Sequence, residues 1–113
     1  MGTNYYLVKS KPTTREPIHI GKSSIGWRFL FHRVNEPWND PPVVWNTYNQ
    51  VKSFLQKYAV LNKDYLIMDE YDEIVSYEDF VRMVDRKQKE DNPHNFENAD
   101  DIDGYRFTDA EFS

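Results

Sequence analysis

The side chains best suited to chemistry gather near the start of the chain. They lie in His19-Ile20-Gly21-Lys22-Ser23-Ser24-Ile25-Gly26-Trp27, with His32 a few residues on. Lys22 offers an ammonium, Ser23 and Ser24 offer hydroxyl donors, and a glycine stands on either side of them. Glycine permits positive φ or a close backbone approach, so a loop there can turn several N–H groups toward one point. We therefore expect Gly21, Lys22, Ser23, Ser24 and Gly26 to cradle an anion, a phosphate or a carboxylate. Trp27 is placed to stack on a base, and Trp38 to cover the bound ligand. The spacing is not that of a P-loop, because Lys22 precedes the second glycine and a strand pattern follows. The plainer alternative is a hairpin connection whose serine hydroxyls bond their own backbone.

His19 and His32 sit at opposite ends of the same hairpin pattern. If they face each other across paired strands, they can serve as general base and general acid, or as two ligands of a metal. No third and fourth ligand follow at a recognisable spacing, so neither a metal nor another cofactor is expected. A second cluster, Asp69-Glu70-Tyr71-Asp72-Glu73, packs carboxylates closely enough to attract a divalent cation. It lacks the calcium-loop spacing, and a solvated turn explains the same letters.

These groups need elements to hold them. Positions 3–9 are β-branched and aromatic and read as a strand. Positions 10–17 carry Pro12 and Pro17 and read as a loop; 18–20 form a short strand entering Gly21. From Trp27 the residues alternate: Trp27, Phe29 and Phe31 on one side, Arg28, Leu30 and His32 on the other. The aromatic side is expected to be core. Positions 35–42 hold three prolines, Pro37, Pro41 and Pro42, and are expected to be irregular. Thr47 with Gln50 makes a capping box, and Tyr48, Val51, Leu55 and Tyr58, with Phe54 beside them, form the apolar face of a helix ending near Tyr58. A strand over 65–69 and a short return over 73–75 form a hairpin. Ser76 with Asp79 opens a second helix, with Tyr77, Phe80, Val81 and Val84 as its stripe and Glu78–Arg82 as an i,i+4 pair. Arg86 and Lys87 close it where the helix dipole favours cations. Tyr105, Arg106 and Phe107 read as a last strand after the Asp103-Gly104 turn. The order predicts an α+β domain: a small, mainly antiparallel sheet with two helices packed on one face. We divide the chain into an α+β core over 1–88 and an acidic segment over 89–113, partly ordered and open to contributing that last strand.

Composition narrows the function. The 113 residues suit one domain with one modest core, much of it aromatic: seven Phe, eight Tyr and three Trp. The absence of cysteine excludes a disulfide framework and thiolate metal sites. No apolar run approaches the ~20 residues of a membrane span, and the start of the chain does not read as a signal peptide. The net charge of −5 splits unevenly, with residues 1–63 at +6 and residues 64–113 at −11. The basic half, rich in aromatics, has the composition of a single-strand platform, but the acidic whole repels phosphate, so nucleic acid ranks below a small anion.

Four islands carry a resemblance: Met1-Gly2-Thr3-Asn4-Tyr5-Tyr6-Leu7; His19-Ile20-Gly21-Lys22-Ser23-Ser24-x-Gly26-Trp27-x-Phe29; Asp69-Glu70-Tyr71; and Glu111-Phe112-Ser113. Together they resemble a family of small, mostly uncharacterised bacteriophage proteins. Many members carry a Cys-x-x-Cys pair before the His-Ile-Gly island. This chain has none there, so a zinc role does not carry over. The resemblance implies action in the host cytoplasm, as an accessory protein that disarms host functions or defence. The expected reading is a non-enzymatic binder of a nucleotide-like anion at the 21–26 loop. An inhibitor using the acidic C-terminal half against a host protein, and a small phosphodiesterase or nuclease using His19 and His32, are the alternatives. The partner is thus an anionic small molecule or a host protein, with no membrane, and a homodimer is open because a small sheet leaves free edges.

Overall fold

A computed structural model describes residues 2–11, 16–24, 29–38, 41–88, 99–102 and 105–108, with only the backbone for 99–102. Its main sheet has seven strands. β1 (Gly2–Lys9) pairs antiparallel with both β2 (Ile18–Ser24) and β6 (Tyr65–Asp69). β2 continues to β3 (Leu30–His32), and β6 continues to the two-residue β7 (Ile74–Val75). β3 lies parallel to β9 (Tyr105–Thr108), which pairs antiparallel with β8 (Ala99–Ile102). The order across the sheet is β7-β6-β1-β2-β3-β9-β8.

A second, two-stranded sheet forms from β4 (Val34–Glu36) and β5 (Val43–Trp45). This corrects the expectation that 35–42 is wholly irregular. The prolines begin only at Pro37, so Asn35 and Glu36 still extend and pair with Val44 and Val43.

α1 (Tyr48–Leu55) starts where the cap signal places it: the Thr47 hydroxyl accepts from the Gln50 N–H at 3.2 Å. The Gln50 side chain reaches one residue further back than a capping box requires and accepts from the Asn46 N–H at 2.6 Å. The helix then widens into a π-helical segment over Gln56–Leu61, with an i→i−5 bond from the Asn62 N–H to the Lys57 carbonyl. α2 (Tyr77–Lys87) is capped by the Ser76 hydroxyl on the Asp79 N–H at 3.1 Å. Arg82 pairs with Asp79 at 3.0 Å, one turn position nearer than the expected Glu78. The pair is exposed and contributes little.

Both helices cover one face of the sheet. Tyr48, Val51 and Leu55 of α1 and Phe80 and Val84 of α2 bury against Leu7, Ile20, Phe29, Phe31, Ile67 and Phe107. Phe29 and Phe31 stand on the core side, as their alternation predicts, with ring centroids 4.6 Å apart. Phe31 stacks on Phe107 at 4.9 Å, which ties β9 into the centre of the core. Each such aromatic contributes roughly 1.5–3 kcal/mol of burial.

Candidate functional site

With the helices on one face, strand alternation sends the other residues to the second face. Asn4 and Tyr6 of β1, His19 and Lys22 of β2 and His32 of β3 stand there. The register puts Asn4 opposite Lys22, and Tyr6 opposite both His19 and Met68. Ile20 is the extra residue of a bulge in β2, because Tyr5 pairs with Gly21 while Tyr6 pairs with His19. The bulge keeps Ile20 in the core while bringing the His19 ring into line with its neighbours.

His19 is held on three sides. Its ring stacks on Tyr6 at 5.0 Å and on His32 at 5.9 Å, with interplanar angles of 24° and 22°. Its Nε2 lies 2.9 Å from Asn4 Oδ1. Asn4, 6% exposed, donates from its backbone N–H to Glu70 Oε1 at 2.7 Å and from Nδ2 to the same oxygen at 3.3 Å. This fixes the protonation pattern. A carboxylate only accepts, so it takes the amide NH2 and leaves Oδ1 facing His19. Nε2 must then carry a proton, and in the neutral ring Nδ1 is the acceptor. The chain Glu70–Asn4–His19 is thus a tautomer-setting relay beside a second imidazole. His32 is anchored through its backbone, its carbonyl accepting from Trp45 Nε1 at 2.9 Å.

The described part of the expected loop, residues 21–24, differs from expectation. Gly21, Lys22, Ser23 and Ser24 are the last residues of β2, laddered against β1, and not a loop of converging amides. Gly26 and Trp27 lie outside the described residues. Gly21 serves close approach: a Cβ there would strike the Leu30 carbonyl oxygen and the Phe29 ring. At Gly2 the missing side chain leaves room for the Lys22 stem, whose Cε lies 2.7 Å from where a Cβ would stand. The Ser24 carbonyl accepts from Lys87 Nζ at 2.5 Å, tying the end of α2 to the end of β2. Trp38 is 75% exposed in the connection between β4 and β5.

The acidic cluster is a hairpin turn. Asp69 Oδ1 accepts from the Tyr71 N–H at 2.8 Å and the Glu73 N–H at 3.0 Å, and Asp72 takes a positive φ of 63°. Among the described residues, no three His, Cys, Asp or Glu side chains gather to hold a metal ion. Nor, among them, is any helix long and apolar enough to cross a membrane.

The structure therefore brings His19 and His32 together and adds Asn4 and Tyr6, which the sequence reading did not single out as site residues, and Glu70, which it had placed only in the separate acidic cluster. An asparagine among the aromatic and aliphatic residues of β1 was the available signal for the first. Against known proteins, no family model matches the chain, and neither a curated protein nor a solved structure matches it.

Proposed function

We propose that the protein binds an anionic, nucleotide-like small molecule on the second face of its sheet, around His19, His32 and Lys22. The observation that supports this most is the Glu70–Asn4–His19 chain, which fixes one imidazole beside another on adjacent strands. A core does not need such an arrangement: burying Asn4 is costly unless its amide is satisfied, and here the amide is spent on orienting a histidine. Lys22 stands one register row away, opposite Asn4, and adds positive charge to the same face. The resemblance to bacteriophage proteins suggests that the ligand is a host nucleotide or nucleotide signal and that sequestering it weakens a host function.

Calorimetric titration and thermal shift with inorganic phosphate, mononucleotides and cyclic nucleotides test the reading. One class should bind, and Lys22→Met, which keeps the stem over Gly2, should weaken it about tenfold with little change in Tm. If no anion binds, or if binding survives both Lys22→Met and His19→Ala, the proposal fails.

The tautomer-setting relay favours one second reading, acid–base cleavage of a phosphodiester. A neutral His19 would take a proton at Nδ1 from an attacking water, whose oxygen bonds to phosphorus, while a protonated His32 gives its proton to the leaving oxygen as the old P–O bond breaks. Hydrolysis of a phosphodiester lost in both His19→Ala and His32→Ala would turn the binder into an enzyme.

A further inference from the structure

We infer that the ligand of the second face carries two phosphate-like groups rather than one, and that Arg106 supplies the buried charge that selects it. The inference rests on the reading of this face as an anion site and names the class of anion. One register row crosses the sheet there. Asn4 pairs with Lys22, Lys22 with Leu30, Leu30 with Arg106 and Arg106 with Asp101. Residues directly paired share a face, so Lys22 and Arg106 stand on the ligand side with Leu30 between them. Two strand spacings, about 9–10 Å, separate their backbones. In the neighbouring row His32 pairs with Thr108, and the His19 ring lies 5.9 Å from that of His32. Lys22, Arg106, His19 and His32 thus fall on adjacent rows of three adjacent strands.

The composition of those strands sharpens the point. The chain holds 19 Asp and Glu among its 113 residues, yet β2, β3 and β9 contain none. Acids stand at the ends of the row: Glu70 accepts from Asn4 at one, and Asp101 belongs to β8 at the other. Arg106 is only 5% exposed, on a face where Leu30 beside it is 7% exposed. Burying a guanidinium is costlier than burying an apolar side chain of its size, so packing alone favours the latter here. What burial adds is field. A charge withdrawn from solvent is weakly screened, and it acts on an anion bound to the same face without touching it. Lys22 and the histidines suffice for one phosphate. A second cation, fixed two strands from the first, is matched by a second anionic group.

The experiment is calorimetric titration of the full chain with the 5′-monophosphate, 5′-diphosphate and 3′,5′-bisphosphate of each common ribonucleoside, at one ionic strength. A two-phosphate form should bind about tenfold or more tightly than the monophosphate of the same nucleoside. Arg106→Met should cut that preference to about twofold, and Arg106→Lys, which keeps the charge, should preserve most of it. An arginine with a structural role alone would weaken both forms alike and leave the ratio unchanged, which overturns the inference. The wild-type ratio decides the matter even if Arg106→Met does not fold: one-phosphate and two-phosphate forms bound equally overturn the inference and leave the anion site standing. If none of these probes binds, and inorganic phosphate does not either, the anion site itself falls and the inference falls with it.

Discussion

Tyr48 shows how a single buried atom sets a measurable property. Its hydroxyl is buried beside the Asp85 carboxylate, while Lys52 Nζ sits 4.5 Å from its ring centroid. Burial first, then the Asp85 carboxylate and the phenols of Tyr105 and Tyr77, push its ionisation far above the usual tyrosine value. The unfolded phenol ionises near pH ~10. The folded state keeps its proton past that point, so stability is full below about pH 10 and falls as pH rises toward the folded value. Replacing Tyr48 with Phe should change neutral-pH stability by no more than about 1 kcal/mol, because the desolvation cost of the hydroxyl and its interaction with Asp85 are removed together. The same variant should flatten the alkaline decline, as urea melts across pH 8–11 would report. At this scale the sequence was half legible. His19 and His32 are visible as a pair because one hairpin contains both. Asn4 and Glu70 are not, because their hydrogen bond joins residues 66 apart in the chain and no local pattern announces it.

At the scale of elements, caps and turns were readable and β2 was not. Thr47, Ser76 and the Asp69 turn follow local rules that hold wherever their partners are three or four residues away. β2 was cut short at Gly21 because glycine commonly ends a strand. Here it continues to Ser24 and lets Leu30 and Phe29 approach. Gly21→Ala should therefore destabilise the fold by about 1–3 kcal/mol through overpacking against backbone and ring. Chemical denaturation measures it, and a neutral result would return Gly21 to a ligand role. β4 and β5 were hidden by the prolines between them, which govern the connection but not the strands on either side.

For the whole molecule, the α+β class with two helices on one face of a mainly antiparallel sheet was legible from element order and link length. The parallel β3–β9 pair was not, because nothing in either strand states which neighbour it takes. Its consequence is that residues late in the chain belong to the centre. Phe107 has no exposure and stacks on Phe31, so Phe107→Ala should cost about 3–5 kcal/mol. A loss well under that in a urea melt would mean that β9 is dispensable. Removing everything after Lys87 then cannot test the acidic segment alone, because it also strips a core ring.

The same pairing orders events during synthesis. A ribosome releases β1, β2 and β3 early, and they can pair locally as they emerge. The slot beside β3 stays empty until residue 108 clears the exit tunnel, leaving Phe31 without the ring it stacks on. Completion of the sheet thus waits on a strand far along the chain, and while the slot waits it exposes a hydrogen-bonding edge to other nascent chains. The chain is most open to mispairing in the interval between the emergence of β3 and that of β9.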